Sequence, residues 1–247
     1  MAINSHIEWT GATWNPITGC TKVSPGCANC YAARMARRLK EAGMRKYRNG
    51  FELTLHREQV REPLAWRKPQ RVFVCSMSDL FHREVPTEFI RELFGVMREA
   101  DWHQFQVLTK RAERIAELNG ALEWPENVWL GVTVEEASFL HRLEHLRASK
   151  ARIRFVSFEP LLGPLPRLDL RGIDWVIVGG ESGPGARPIK QEWVIEIRDQ
   201  CLSAGVPFFF KQWGGVFRSR SGRLLEGRTW DEMPRVGETT QAAAAAR

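Results

Sequence analysis

Six short apolar runs, rich in β-branched and aromatic residues, recur along this chain at intervals of about 20 to 35 residues. They are Arg71–Cys75, Phe105–Leu108, Val128–Val132, Ile153–Val156, Trp175–Val178 and Pro207–Phe210. Their apolarity is continuous instead of alternating, which predicts strands buried on both faces, as in a parallel sheet. Amphipathic stretches between them predict helices over Thr87–Ala100, Glu135–Leu146 and Gln191–Ala204. The first opens on a cap region at Pro86–Glu88 and the last stops at Gly205. A repeated βα pattern of this kind is an α/β fold, and a barrel-like or an open doubly wound sheet satisfies it equally.

In parallel α/β sheets, ligands sit beyond the carboxyl ends of the strands. The residues that follow each run are polar, charged or glycine-rich: Ser76–Asp79 and His82, Thr109–Arg111, Thr133–Glu135, Ser157–Pro160, Gly179–Gly185 and Lys211–Trp213. Six such ends in register predict a lined pocket. A seventh candidate strand, Trp14–Gly19, leads into Cys20, Cys27 and Cys30, spaced C-x6-C-x2-C. Crowded cysteines in a chain with five in all favour metal or cluster ligation over disulfides, and three thiolates are one short of a closed site. Either a distant fourth ligand (His6, His82, Cys75 or Cys201) closes a structural zinc site, or one metal position stays open for chemistry. Cys75 and Cys201 fit better as buried small hydrophobes.

The chain carries a formal net charge of +7 over 247 residues. Seven basic residues and one acid fall between Arg34 and Arg48, directly after the cysteines, so the other 232 residues are close to neutral. Arg34, Arg37, Arg38, Arg45, Lys46 and Arg48 are therefore candidate contacts to nucleic acid or another polyanion, against the alternative of a solvated helix face. A hydrophobic content of 43% excludes a disordered polymer. The absence of a membrane-length apolar run or a signal pattern predicts a soluble, cytoplasmic protein with no membrane partner. One domain over residues 1–236 is expected, with an insertion at 31–70 whose helix starts at Tyr31 and places Ala32, Met35, Ala36 and Leu39 on one face. A low-complexity tail follows at 237–247.

The segments TWNPITGCTKVSPGCANCYA, FVCSMSDLFH, VLTKR, NVWLGVTVE, FVSFEPLLGPL, WVIVGGESGPGARP and FFFKQWG, spread over roughly residues 13 to 214, resemble the radical S-adenosylmethionine (SAM) superfamily. The likeness is to its poorly characterised phage-type family with a C-x6-C-x2-C motif. A shorter likeness runs to spore-photoproduct-lyase-like enzymes. The resemblance implies a partial (β/α)6 barrel and a [4Fe–4S] cluster on Cys20, Cys27 and Cys30. It further implies SAM on the cluster's open iron, an external one-electron donor, and hydrogen abstraction from a substrate by a 5′-deoxyadenosyl radical. Cofactor or substrate contacts are then expected from Ser76, Ser78, Asp79, Glu159, Gly179, Gly180, Glu181 and Lys211, with Trp9 and Trp14 shielding the cluster. The cysteine spacing departs from the commonest superfamily pattern, whose first gap is three residues, and the Gly-Gly-Glu string falls later than usual. The reading from another class is a non-catalytic zinc or Fe–S protein that binds nucleic acid through the basic stretch.

Overall fold

The computed structural model describes residues 2, 3, 5, 7–217 and 221–235; His6 and the tail at 237–247 lie outside the described residues. Ten strands and five α-helices alternate along it. The strands are β1 (Ala2–Ile3), β2 (Ala12–Trp14), β3 (Ile17–Thr18), β4 (Thr54–Leu55), β5 (Arg71–Val74), β6 (Gln104–Thr109), β7 (Val128–Thr133), β8 (Ile153–Phe158), β9 (Trp175–Gly179) and β10 (Phe208–Gln212). The helices are α1 (Tyr31–Glu41), α2 (Thr87–Glu99), α3 (Ala112–Leu118), α4 (Arg142–Ala148) and α5 (Gln191–Ala204). All six apolar runs are strands. One sheet runs β1-β2-β5-β6-β7-β8-β9-β10, and from β2 onward its seven strands are parallel and curl into a half-barrel, with β1 antiparallel at the edge. The small antiparallel pair β3–β4 lies outside it.

Both faces of the sheet are buried, as continuous apolar strands require. On one face Val72, Val107, Leu130, Val156, Val176 and Phe208 pack against α2, α4 and α5 through Phe89, Leu93, Leu146, Val194 and Ile197. On the other, Trp9, Trp129, Phe155, Trp175 and Phe209 form a separate aromatic layer, with Phe73 and Leu108 at its edge. Trp175 stands at its centre, its ring 5.6 Å from Phe155 and 5.9 Å from both Trp129 and Phe209. Each such side chain contributes about 1.5–3 kcal/mol by leaving water.

Gly131 in β7 makes room for that layer, because a Cβ there would lie 2.4 Å from the Phe155 ring. The ring is held by Trp9 and Trp175 and has nowhere to retreat. Gly131→Ala is expected to lower the unfolding free energy by about 1–3 kcal/mol. Denaturant titration of the variant checks this, and an unchanged midpoint would contradict it.

Three expectations are corrected, and the barrel is met only in its coarser form, an α/β half-barrel. The first parallel strand is Ala12–Trp14, not Trp14–Gly19: Pro16 has no N–H to continue the ladder, and Ile17–Thr18 turn away to pair with β4. The helix over Glu135–Leu146 shrinks to a short 3-10 turn at Ala137–Phe139 followed by α4, because the Glu135 carbonyl accepts from the Leu162 N–H and its side chain is fully buried. The parallel sheet has seven strands where a (β/α)6 barrel has six, and the β8–β9 connection holds no α-helix. Pro86 precedes α2 with no side-chain cap. By contrast, α5 ends at Gly205 in the left-handed conformation, φ 66°.

Candidate functional site

A cavity of about 510 Å³ opens at the carboxyl end of the parallel sheet. All six polar strand ends contribute to its wall, and Cys20, Cys27 and Cys30 line it as well. The aromatic layer reaches it through Trp9 and Phe73. The three cysteines belong to the stretch between β3 and α1: Cys27 ends a 3-10 turn at Pro25–Cys27, and Cys30 is the residue on which α1 begins. None is in a disulfide and each is partly exposed, whereas Cys75 and Cys201 are buried.

Three carboxylates at strand ends hold this loop in place. Behind β5, Asp79 accepts from Thr109 Oγ1 at 2.7 Å, from the Phe81 N–H at 2.9 Å and from Arg111 Nη1 at 2.9 Å. Arg111 then reaches across to the loop, donating to the Thr21 carbonyl at 3.0 Å and to Cys20 Sγ at 3.4 Å. Burial pushes the Cys20 thiol up to about 11, with Asp79 adding to the rise and Arg111 opposing it. Behind β7, Glu135 accepts from Ser24 Oγ at 2.5 Å through Oε1 and from Arg142 Nη1 at 2.8 Å through Oε2. Gly26 packs onto the same carboxylate, and a Cβ there would lie 2.5 Å from it. Behind β9, Glu181 accepts from Asn29 Nδ2 at 3.0 Å and twice from the Arg187 guanidinium, at 2.8 and 2.6 Å. Arg187 donates onward to the Pro25 carbonyl at 3.0 Å, and Arg34 ties α1 to the same glycine-rich loop through the Ser182 carbonyl at 2.8 Å.

Burial would raise the Glu181 carboxyl, but hydrogen bonds from the Arg187 side chain and backbone and from Asn29 override it and hold the group at about 2. A carboxyl depressed in the folded chain contributes stability that is complete above its unfolded value, near 4.3, and is lost as pH falls through the folded value. The Glu181 contacts are therefore expected to persist at pH 4 and to fail near pH 2. Carbon-13 titration of the side-chain carboxyl checks this, and a midpoint near 4.3 would contradict it.

Asp79 and Glu181, expected as cofactor contacts, thus line the cavity while bonding chiefly to the protein. Ser78 Oγ is likewise engaged, donating to the Gly19 carbonyl at 2.5 Å, and Ser76 Oγ donates to Asn15 Oδ1 at 3.2 Å. Gly180 belongs to the wall, but its close approach is to the Trp213 carbonyl of its own chain; Gly179 is not part of the wall. Glu159 and Lys211 face the cavity as a pair, Lys211 Nζ donating to Glu159 Oε1 at 2.6 Å, and the Glu159–Pro160 peptide bond is cis. Trp9, expected to shield a cluster, is part of the cavity wall. Trp14 is not: it is buried in the core, with its indole N–H on the Gln59 carbonyl at 2.8 Å.

The basic stretch divides. Arg37, Arg38, Arg45 and Arg48 are exposed. Arg34 is bound to the glycine-rich loop, and Lys46 points inward to the Asn15 carbonyl and Gln59, so both already have partners within the fold. Met35, placed by periodicity on the packed face of α1, is 41% exposed.

Arg111, Glu135, Asn29 and Arg187 hold the cysteine loop in place, a role that sequence reasoning assigned to none of them. Arg111 and Glu135 stand at strand ends, and that position is the signal that could have found them. Asn29 and Arg187 become visible only once the chain is folded.

Three soft thiolate donors on one loop suit iron–sulfur or zinc chemistry. Among the described residues, no three His, Cys, Asp or Glu side chains are grouped closely enough to hold a metal ion as they lie, so the thiols share a wall and not yet a coordination sphere. Of the fourth ligands considered for zinc, His6 lies outside the described residues, Cys75 is buried but lines the same cavity, and the other two are held elsewhere. His82 uses Nε2 with Thr21 Oγ1 at 2.9 Å and Nδ1 as acceptor of the Glu84 N–H at 3.2 Å, and Cys201 is fully buried on α5.

The fold and site together define an α/β half-barrel with a cysteine-lined cavity at the carboxyl ends of its strands. A family model described as "Protein of unknown function (DUF5131)" matches residues 4–234, and the chain belongs to that family. No curated protein and no solved structure matches the chain. No helix among the described residues is long and apolar enough to cross a membrane.

Proposed function

We propose that this chain is a radical SAM enzyme, with Cys20, Cys27 and Cys30 as ligands of a [4Fe–4S] cluster and the adjoining cavity as the site of SAM and substrate. The observation that carries the reading is the convergence of three unpaired thiols on the wall of one large strand-end cavity, on a loop clamped by Asp79, Glu135 and Glu181. When bound, the cluster would supply the electron, received from an external donor, that breaks the SAM C–S bond.

The chain's own residues have three tasks in this reading. The carboxylate clamps fix the loop, so that its donors are ordered before any ligand arrives. Trp9, Phe73 and Leu108 give the cavity an apolar floor that excludes water from a reactive intermediate. Glu159, Lys211 and Gln212 supply polar contacts at one side of it. The exposed Arg37, Arg38, Arg45 and Arg48 favour an anionic substrate, nucleic acid included.

The test is release of 5′-deoxyadenosine after anaerobic reconstitution with iron and sulfide, addition of SAM and reduction with dithionite. Release that disappears in Cys27→Ala supports the reading; none from protein that has taken up only zinc overturns it. The non-catalytic alternative rests on the exposed arginines alone. It predicts salt-dependent nucleic-acid binding that is independent of SAM and is lost on neutralising Arg37, Arg38 and Arg45.

A further inference from the structure

Most polar groups of the cavity wall are taken up by the cysteine loop, but one side of the wall is not. Glu159 at the end of β8 and Lys211 and Gln212 at the end of β10 form a connected trio. Glu159 Oε1 accepts from Lys211 Nζ at 2.6 Å and from Gln212 Nε2 at 3.4 Å, and Gln212 Nε2 also meets Ser182 Oγ at 2.8 Å. Glu159 Oε2 accepts no hydrogen bond among the described residues. Gln212 is 3% exposed and Trp9 2% exposed, and neither Gln212 Oε1 nor Trp9 Nε1, both buried, has a partner among the described residues. All four residues line the cavity. Buried polar atoms are almost always satisfied, so the orphaned Gln212 Oε1, on a side chain that lines the cavity beside Glu159 and Lys211, singles out this side of the wall.

The chemistry of the trio narrows that ligand. Two acceptors, Glu159 Oε2 and Gln212 Oε1, come from side chains in contact with each other, and Lys211 Nζ is a donor beside them. A complementary edge therefore carries two neighbouring hydrogen-bond donors and an acceptor. The surrounding apolar wall is aromatic: Trp9 and Phe73 pack on each other with centroids 4.7 Å apart, Leu108 and Ile7 lie alongside, and together they offer a surface on which a ring can lie. Enzymes that act on nucleobases read the Watson–Crick edge by hydrogen bonds and hold the ring between aromatic or apolar side chains. Among the common bases, only guanine presents two adjacent N–H donors next to a carbonyl; adenine, cytosine and uracil each place an acceptor where the second donor is needed.

We infer that Glu159, Lys211 and Gln212 form a recognition subsite for a guanine-type base, Glu159 and Gln212 accepting from its adjacent N–H groups and Lys211 donating to its carbonyl. This rests on the enzyme reading and names the substrate class of the same cavity. The exposed arginines of α1 and the loop after it suit the phosphates attached to such a base.

Binding of GMP, AMP, CMP and UMP to the full-length chain, without cluster or reductant, tests the subsite by calorimetry. GMP is expected to bind at least about tenfold more tightly than the other three. Glu159→Gln, which turns an acceptor into a mixed donor and acceptor, is expected to weaken GMP at least about tenfold, and Lys211→Met to weaken it as well. Thermal unfolding identifies whether each variant is folded. Equal affinity for all four nucleotides, or GMP binding unchanged in folded Glu159→Gln, would overturn the inference. So would a preference for AMP with displacement by SAM, which would assign the trio to SAM's adenine. Failure here with 5′-deoxyadenosine still released removes the subsite alone, whereas GMP selectivity without SAM cleavage removes the radical reading alone.

Discussion

Glu135→Ala is expected to lower the unfolding free energy by about 3–5 kcal/mol, because it leaves the Arg142 guanidinium, only 3% exposed, as an uncompensated buried charge. The carboxylate it removes is fully buried and accepts from both Arg142 and Ser24, with Lys110 Nζ 3.7 Å away. Three segments far apart in sequence meet on that one group: the cysteine loop, the end of β6 and the start of α4. Glu135→Gln, which keeps a carbonyl oxygen for Arg142 and turns an NH2 group that the Ser24 hydroxyl can accept from toward the loop, should lose less. Urea unfolding of both variants measures the difference. A loss for Glu135→Ala below about 1 kcal/mol would place the pair among those that stabilise no more than an exposed ion pair.

The second large effect concerns the thiols. Cys20→Ser, Cys27→Ser and Cys30→Ser should each reduce iron retained after reconstitution from about four per chain to background, since a cluster with an open iron has no spare protein ligand. The same substitutions should change fold stability by no more than about 1 kcal/mol, since each thiol is partly exposed and serine is nearly its size. Cys201→Ala gives the opposite pattern. Its thiol is fully buried on α5, where burial pushes it up to about 12, so iron should be retained while stability falls. Colorimetric iron and sulfide assays alongside denaturant titration separate the two classes. Iron retention equal to wild type in all three serine variants would contradict the ligand assignment.

Much of the architecture was legible because parallel strands buried on both faces leave an unmistakable pattern. Runs such as Trp175–Val178 have no polar residue to offer either face, and a strand of that kind needs aromatic or aliphatic partners on both sides. The rim position of the polar strand ends followed from the same logic. What the sequence left hidden was how those polar groups are used. A carboxylate at a strand end reads identically whether it faces a ligand or an arginine from elsewhere in the chain, and the partners here lie far away: Asp79 meets Arg111, and Glu181 meets Asn29 across 152 residues. Asp79 and Glu181 were therefore correctly placed at the cavity while their bonding to the cysteine loop was not foreseen.

The basic stretch illustrates the same point from the other side. Seven cations in 15 residues look like one surface, yet Arg34 and Lys46 are drawn into the structure by backbone carbonyls. Local misreadings have local causes. At Trp14 the chain leaves the sheet because proline follows two residues later, and Glu135 cannot begin a helix because its carbonyl and carboxylate are already bonded elsewhere.

The central claim is that Cys20, Cys27 and Cys30 hold a cluster with one iron left open for SAM. Low-temperature electron paramagnetic resonance of the anaerobically reconstituted, dithionite-reduced protein, recorded before and after adding SAM, tests it most directly. The account predicts the signal of a reduced [4Fe–4S] cluster whose shape changes when SAM is added. Protein that carries zinc and gives no such signal, or a cluster signal that SAM leaves untouched, would contradict it.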